Sequence, residues 1–299
     1  MPYIVEIKNV YKKYKRTEAL KDVSMNIIKG EIYGFVGENG AGKSTMIRII
    51  TNINRPTLGT VKLNTTKRLG AVAALVEAPA LHKGYSAMRN LEAQCDILGI
   101  KKERSELAEY LELVGLKELV TSRKIAKNFS LGMRQRLSIA MLLIGDPEFM
   151  LLDEPMNGLD PVGIKDMRDL ILRLNKEKGT TFLISSHILS ELDKVATTYG
   201  FISHGVLVEE ITAQDLHEKA GTYGRIVLKD APDTKLISLL EGVTYRIEEE
   251  RILIISGQEE ALKVLQQLTK NDIVVEGYEI VRESIEDYYL NVIKKGVRA

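Results

Sequence analysis

The sequence contains one cysteine and no long apolar stretch. Cys95 has no disulfide partner within the chain, which excludes a disulfide-stapled fold and favours a reducing compartment such as the cytoplasm. The longest apolar runs, such as residues 139–144, are much shorter than the ~18–20 residues that a membrane span requires. The N-terminus also lacks the charged and apolar regions of a secretory signal. We therefore expect a cytoplasmic chain that does not cross a membrane by itself.

A surplus of either charge is also missing. The 299 residues include 42 Lys and Arg and 41 Asp and Glu, which gives a net charge of +1. Nucleic-acid-binding proteins more often carry a basic surplus, so we expect no nucleic-acid partner. Apolar residues make up 44% of the chain, which is enough for one large domain or for a large and a small one.

Residues 37–45 read Gly-Glu-Asn-Gly-Ala-Gly-Lys-Ser-Thr and fit the phosphate-binding motif G-x-x-x-x-G-K-[ST]. Glycines let the backbone wrap a phosphate closely, with its N–H groups pointing inward at the start of the next helix. In this motif Lys43 contacts the β- and γ-phosphates, and Ser44 is a ligand of Mg²⁺. An apolar strand pattern at 31–36 and a helical apolar spacing at 44–52 flank the loop, as the motif requires. The residues that we expect to bind the nucleotide are Gly37, Asn39, Gly40, Ala41, Gly42, Lys43, Ser44 and Thr45.

A second polar site is predicted at the end of a later strand. Four apolar residues, 149–152, are followed directly by Asp153 and Glu154. In a parallel sheet the end of this strand lies beside the end of the strand that carries the phosphate loop. Asp153 can then hold Mg²⁺, directly or through water, while Glu154 orients and deprotonates an attacking water molecule. The pair predicts a nucleotide hydrolase.

The order of predicted strands and helices indicates an α/β domain followed by a small α+β domain. Lys43 and Asp153 are 110 positions apart, far more than one crossover needs, so we predict an inserted helical subdomain at about 80–145. Strands and helices then alternate to about residue 215, as in parallel α/β proteins. Beyond residue 221 the pattern changes to several strands with intervening helices. The predicted domains are therefore 1–215 and 221–299.

Three further features each give a weak signal alone. Residues 129–136 read Phe-Ser-Leu-Gly-Met-Arg-Gln-Arg, residues 157–160 read Asn-Gly-Leu-Asp, and His187 follows a predicted strand. In this order, behind the phosphate loop and the acid pair, they resemble the ATP-binding cassette (ABC) ATPases over about residues 1–215. The resemblance implies a P-loop nucleotide-binding domain of the ABC type, with ATP and Mg²⁺ as cofactors.

The resemblance also assigns roles to particular positions. Residues 37–45 resemble the Walker A loop, and residues 149–154 resemble Walker B with Glu154 as the catalytic glutamate. His187 matches the histidine that senses the γ-phosphate, so Lys43, Glu154 and His187 are the implied catalytic residues. The implied contacts to the nucleotide from elsewhere in the chain are Ser130 and Gly132, which would reach the γ-phosphate held by a second copy, and Asp160 of the D-loop.

The basic stretch at 11–16 contains two tyrosines. Its residues alone favour a solvated strand end, although a tyrosine ring can also stack on a nucleotide base. In the ABC family an adenine-stacking aromatic residue occupies the place of Tyr14. The resemblance therefore implies that Tyr14 contacts adenine, with Tyr11 as the less favoured alternative.

Two departures from the family pattern narrow the resemblance. Leu131 and Met133 stand in a signature motif that usually reads Leu-Ser-Gly-Gly-Gln. Glu77 stands where the family has the Q-loop glutamine, so it keeps an oxygen for Mg²⁺ but loses the amide donor. Together they resemble the subgroup that exports bacitracin, lantibiotics and other antimicrobial peptides.

The expected function is that of the ATPase subunit of such an exporter. Two copies would enclose two ATP molecules, and a separate permease subunit would place the protein on the inner face of the cell membrane. The alternative is a soluble ABC-type ATPase acting on ribosomes or nucleic acid, although those relatives usually carry two cassettes or long insertions. An unrelated P-loop kinase is disfavoured by the signature stretch and by His187. For residues 221–299, dimer contact, regulation and structural support all remain open.

Overall fold

The computed structural model describes residues 3–67, 69–76, 80–219, 221–232, 234–282 and 284–296. The chain divides into two compact units, Met1–Ala213 and Gln214–Ala299. In the first unit the strands are β1 (Tyr3–Tyr14), β2 (Thr17–Ile28), β3 (Ile32–Val36), β4 (Leu58–Leu63), β5 (Val72–Leu75), β6 (Phe149–Asp153), β7 (Thr181–Ser186), β8 (Thr198–Ser203) and β9 (Val206–Thr212). Its helices are α1 (Lys43–Ile50), α2 (Ala87–Leu98), α3 (Arg104–Leu113), α4 (Leu131–Leu143), α5 (Pro161–Lys178) and α6 (Leu189–Leu192).

A six-stranded sheet with the order β5-β6-β7-β3-β8-β9 forms the centre of this unit. All neighbouring pairs are parallel except β8 and β9, which form an antiparallel hairpin. Every residue of β3, β6 and β7 is buried, which explains why these strands are nearly continuous apolar runs. Because the three strands are adjacent and parallel, their carboxyl ends meet at one edge of the sheet. The phosphate loop, the acid pair and His187 follow those three ends.

A second, antiparallel sheet has the order β2-β1-β4. Buried and exposed side chains alternate along β2 and parts of β1, since one face packs on a core and the other faces solvent, whereas β4 at the edge is mostly exposed. The buried face joins the first residues of β1 to α1, for example through Ile4, Ile7, Met46 and Ile50. This core holds α1, and with it the phosphate loop, between the two sheets.

The segment for which we predict a helical insertion contains α2, α3 and α4. Side-chain caps define where these helices begin. Ser86 Oγ accepts a hydrogen bond from Arg89 N at the start of α2, and Glu103 and Glu106 form a reciprocal capping box at the start of α3.

A buried polar cluster lies at the amino end of β3. The phenol of Tyr33 is fully buried and donates a hydrogen bond of 2.7 Å to Glu210 Oε1. Glu31 accepts hydrogen bonds from Ile28 N (2.9 Å) and from Thr198 Oγ1 (3.2 Å). Burial outweighs these hydrogen bonds and raises the pKa of the Glu31 carboxyl above its ordinary value of 4.5, and the carboxylate of Glu210 adds to the effect.

The second unit is built from four strands and four helices within its described residues. They are α7 (Ala213–Lys219, whose first residue belongs to the first unit), β10 (Thr222–Leu228), α8 (Thr234–Leu239), β11 (Tyr245–Glu248), β12 (Ile252–Ser256), α9 (Gln258–Lys270), β13 (Val275–Arg282) and α10 (Ile285–Gly296). The strands form an antiparallel sheet with the order β11-β12-β10-β13. From β10 to β13 this is the split β-α-β arrangement of ferredoxin-like folds.

Alternation along β10 builds the core of the second unit. Ile226 and Leu228 are buried and pack with side chains of α8 and α9, whereas their neighbours on the strand point to the other face. Gly224 lets α9 approach closely, because a Cβ atom at this position would lie 2.1 Å from Ala261 Cβ. The second unit therefore has a core of its own.

Candidate nucleotide-binding site

The phosphate loop connects β3 to α1. Gly42 precedes α1 with a φ of 114°, which glycine tolerates and other residues do not. A Cβ atom at Gly37 would lie 2.4 Å from the carbonyl oxygen of Ile202, so the loop also needs glycine for space. No described side chain caps α1, and its first turn contains no acidic residue. Its first N–H groups are therefore available to an anion.

The side chain of Lys43 is buried at the base of this loop, with only 6% of its surface exposed. Its ammonium donates hydrogen bonds to the carbonyl oxygens of Gly37 (2.5 Å) and Glu38 (3.2 Å). It also lies 3.4 Å from Glu154 Oε1. The loop thus holds one cation beside the end of β6.

The acid pair is fixed by the neighbouring strand β7. Asp153 is buried, and its Oδ1 accepts a hydrogen bond from Ser185 Oγ. The backbone N–H of Glu154 lies 3.1 Å from both the carbonyl oxygen and the Oγ of Ser185. Glu154 has a φ of 51°, so the chain turns sharply out of the sheet at this residue. Sequence reasoning missed Ser185, because the pairing of Asp153 with Ser185 depends on the register between β6 and β7.

His187 completes the cluster. Its Nδ1 lies 2.8 Å from Glu154 Oε2, and the imidazole is partly exposed. One carboxylate, that of Glu154, therefore contacts both the buried ammonium of Lys43 and the ring of His187. Three residues predicted as catalytic from distant parts of the sequence lie together.

Tyr14 lies at the end of β1, where its hydroxyl accepts a hydrogen bond of 2.7 Å from Asn54 Nδ2. The ammonium of Lys12 lies 4.9 Å from the ring centroid, and 39% of Tyr14 is exposed. The hydrogen bond to Asn54 involves only the hydroxyl of Tyr14, so part of the aromatic ring remains exposed to solvent. Asn54 was not predicted from the sequence.

Ser130, Gly132 and Asp160 lie at the starts of two helices. Ser130 Oγ accepts from Met133 N (3.2 Å) and caps α4, while Asp160 Oδ1 accepts from Gly163 N (3.1 Å) and caps α5. Among the described residues, none of the three hydrogen-bonds to Lys43, Glu154 or His187. The fold therefore divides the predicted nucleotide contacts into two groups.

Glu77, predicted as a magnesium ligand, lies outside the described residues, so its placement stays a prediction. In the part of the chain that is described, no helix is both long enough and apolar enough to span a membrane.

Comparisons with known proteins agree with this fold. The ABC transporter family profile matches residues 20–157. The bacitracin transport ATP-binding protein BcrA of Bacillus licheniformis is 36% identical, and the match covers 99% of each chain. The lantibiotic transport ATP-binding protein SrtF of Streptococcus pyogenes is 39% identical over 69% of this chain and 90% of its own.

Among solved structures, a dimeric post-hydrolysis state of the ATP-binding cassette MJ0796, bound to ADP and Pi, aligns with a TM-score of 0.63 at 26% identity. The alignment covers 70% of this chain and 98% of that cassette. These matches confirm the α/β fold class and the family predicted from the sequence motifs. The chain belongs to the ABC transporter ATP-binding proteins, a family of ATPases that couple ATP hydrolysis to transport.

Proposed function

We propose that two copies of this chain bind and hydrolyse ATP between them, and so drive export of an antimicrobial peptide through a separate membrane subunit. The contact of Glu154 with both Lys43 and His187 carries the hydrolytic part of the proposal. The peptide substrate is supported by the relatives, because the match to a bacitracin transport protein extends over both units of the chain.

ATP binding begins at the phosphate loop. The N–H groups at the start of α1 and the ammonium of Lys43 supply hydrogen-bond donors and positive charge for the β- and γ-phosphates. Lys43 exchanges its bonds to the carbonyl oxygens of Gly37 and Glu38 for phosphate oxygens. Tyr14 stacks on the adenine.

The residues present fit Mg²⁺ bound together with ATP. Among the described residues no three His, Cys, Asp or Glu side chains form a metal site of their own. Mg²⁺ needs few protein ligands when phosphates provide the other oxygens, and the hydroxyl of Ser44 and the carboxylate of Asp153 are suitable oxygen donors. When bound, the ion neutralises charge on the β- and γ-phosphates.

Glu154 acts on the water molecule that attacks the γ-phosphate. One carboxylate oxygen accepts the water proton, and the other stays bonded to His187, which holds the side chain in one orientation. In this arrangement Nδ1 of His187 carries a hydrogen and donates a hydrogen bond to Glu154 Oε2. The hydroxyl of Ser185 fixes the backbone of Glu154 by accepting a hydrogen bond from its N–H group.

The second group of predicted contacts completes the site from another copy. Ser130 and Gly132 lie at the start of α4, where N–H groups favour an anion such as the γ-phosphate. Asp160 is itself an acid that caps α5, so its place in the second copy's site is supported by the family resemblance and not by charge. Leu131, between Ser130 and Gly132, is 37% exposed and available for burial against a partner. The dimeric relative, which is bound to both ADP and Pi, supports this assembly.

The membrane subunit requires a docking surface, and a hollow of about 750 Å³ beside α3 has the chemistry for one. Its wall contains the hydroxyls of Ser86 and Ser105 and the guanidinium groups of Arg104 and Arg123. Neither arginine forms an ion pair with any described residue. We assign this hollow to an acidic cytoplasmic segment of the membrane subunit.

Glu154→Gln tests the hydrolytic proposal. The amide keeps the size of the side chain but cannot accept a proton, so we expect ATP hydrolysis to fall by about 100-fold or more while ATP binding persists. Phosphate release measures the first, and light scattering with and without ATP measures the accumulation of an ATP-bound dimer. Glu177→Gln on the exposed end of α5 is the matched control. Retained hydrolysis, or a variant that stays monomeric at saturating ATP, would contradict the proposal.

Export is tested by expressing the chain with its membrane subunit in a host sensitive to bacitracin and lantibiotics. We expect resistance with the unchanged chain, and loss of resistance with Glu154→Gln or with Arg104→Glu and Arg123→Glu together. The arginine variant should keep ATP binding but no longer co-purify with the membrane subunit. Purification of the unchanged chain with ribosomes instead would favour the soluble alternative.

A further inference from the structure

The second unit contains a cavity of about 420 Å³ that the proposed function does not use. We call it the C-terminal cavity. Its wall is formed by residues of β10, β11 and β12 and of the turns beside them, by two residues of α10 and by Lys219 of α7. Small-molecule sites in proteins have volumes of roughly 300–1,000 Å³, so the cavity is large enough for a molecule of modest size.

The wall combines opposite charges with hydroxyl groups and an apolar surface. Lys219 and Arg246 are basic, whereas Asp287 is acidic. Ile254 is 6% exposed and provides an apolar surface. The hydroxyl groups in the wall belong to Thr222, Tyr223, Thr244, Tyr245 and Ser256. A ligand with a single charge would therefore pair with either the basic or the acidic side chains of the wall, but not with both.

The two charges act on one aromatic ring. The guanidinium of Arg246 lies 5.9 Å from the ring centroid of Tyr223. Burial raises the pKa of the Tyr223 phenol, and the carboxylate of Asp287 raises it further, while Arg246 opposes the effect. Arg246 and Asp287 line the same cavity as Tyr223.

Arg246 and Asp287 are each positioned by one neighbouring residue, and each has further atoms that can form hydrogen bonds with a ligand. Arg246 Nε pairs with Glu248 at 2.9 Å, which leaves the terminal guanidinium nitrogens without a hydrogen bond in the described part of the chain. Asp287 Oδ2 accepts from Ser284 Oγ at 2.7 Å, so Oδ1 remains as an acceptor at the start of α10. Positioned groups with free donors and acceptors are what a ligand site needs.

We propose that the C-terminal cavity binds a small zwitterion, namely a free α-amino acid or a dipeptide. The ligand carboxylate bonds to the terminal nitrogens of Arg246, and the ligand ammonium bonds to Asp287. The ligand side chain lies against Ile254 and the ring of Tyr223. This site is separate from the ATP site, and it gives the second unit a sensing role that stands or falls independently of peptide export.

Isothermal titration of the full chain tests the charge pattern. The probes are leucine, glutamine and phenylalanine, each also as the N-acetyl acid, which lacks the ammonium, and as the amide, which lacks the carboxylate. We expect at least one free amino acid to bind with a Kd below about 10 mM, and about tenfold or more tighter than both of its derivatives. Equal binding of the N-acetyl acid would show a simple anion site and overturn the proposal, as would no binding of any probe.

Two arginine variants locate the site. Arg246 and Arg225 each pair with a glutamate at 2.9 Å in the same sheet, but only Arg246 lines the cavity. We expect Arg246→Gln to weaken binding by about tenfold or more, and Arg225→Gln to change it by less than about twofold. Ser256→Gln, which fills the cavity from an exposed position, should also weaken binding. Undiminished binding to Arg246→Gln and Ser256→Gln would place the ligand elsewhere, and the proposal would be wrong.

Discussion

At the scale of single residues, the centre of the ATP site follows from sequence and part of its surroundings does not. Lys43 was predicted from the phosphate-loop motif and Glu154 from the acid pair that ends an apolar strand, whereas His187 was assigned by the family resemblance. All three come after buried parallel strands, which bring such positions to one edge of the sheet. Ser185 could not be assigned a role, since its contact with Asp153 depends on the register between β6 and β7. Asn54 was missed for a similar reason, because it meets Tyr14 across 40 positions of chain.

Tyr14→Ala is expected to weaken ATP binding by about five- to tenfold, because a stacked aromatic ring contributes roughly 1 kcal/mol beyond its buried area. Tyr14→Phe should retain most of the affinity. Titration with a fluorescent ATP analogue measures both.

Tyr11 offers the control for this substitution. It belongs to the same strand and is similarly exposed, at 36% against 39%. Tyr11→Ala should therefore leave ATP affinity within about twofold of the unchanged chain. If Tyr11→Ala weakened binding more than Tyr14→Ala, the adenine contact would have been assigned to the wrong tyrosine.

Glu31 gives a prediction about pH. Its folded-state pKa is raised by burial, so its contribution to stability is complete below its ordinary value of 4.5 and is lost as the pH rises through the raised value. The amide of Glu31→Gln does not ionise, so the variant does not lose stability in this way as the pH rises. The free energy of unfolding of the variant, relative to the unchanged chain, should therefore increase from about pH 4.5 upwards and then level off. Urea denaturation at a series of pH values measures it, with Glu177→Gln as the control for loss of a surface charge.

At the scale of elements, helix starts serve stability and function together. The capping roles of Ser130 and Asp160 are visible in the structure, whereas their contacts with a second copy's ATP are proposed. The sequence predicted helices in these regions, as part of the helical subdomain and of the alternating strands and helices that follow it. It could not separate a serine that only caps a helix from one that also binds phosphate, because both uses require the same hydroxyl at the same position.

Two matched substitutions separate those uses. Ser86→Ala and Ser130→Ala each remove a capping side chain, so each should lower the free energy of unfolding by about 1 kcal/mol. Only Ser130→Ala should also reduce ATP-dependent dimerisation, which is best measured by light scattering in the Glu154→Gln background. Equal dimerisation of the two variants would limit Ser130 to its capping role.

At the scale of the whole molecule, the change in pattern beyond residue 221 led us to predict domains at 1–215 and 221–299. The structure divides the chain before residue 214, because most of α7 belongs with the second unit. The strand order of the sheet in the second unit was not predictable. In that sheet β10 pairs with β12 and β13 and not with β11, the next strand in the sequence. Periodicity identifies strands but does not reveal which strands pair.

Separate cores predict separate responses to ligands. ADP should slow hydrogen exchange at amides of the first unit, above all around the phosphate loop and α1, because it binds the folded form of that unit. Exchange in β10–β13 should stay unchanged. ADP is the suitable probe because it lacks the γ-phosphate through which we propose that a second copy is bound. Protection spreading through β10–β13 would show that the two units respond together.

The backbone conformation of Glu154 predicts how a mutation at this position would behave genetically. Its φ of 51° lies in the region where glycine is comfortable and most residues are strained. Glutamate and glycine codons differ by a single base, so a spontaneous mutation can delete the carboxylate while relaxing the chain. In the proposed dimer, the resulting subunit would assemble with intact copies yet contribute no hydrolysis. Loss of function at this position is therefore expected to behave as a dominant trait.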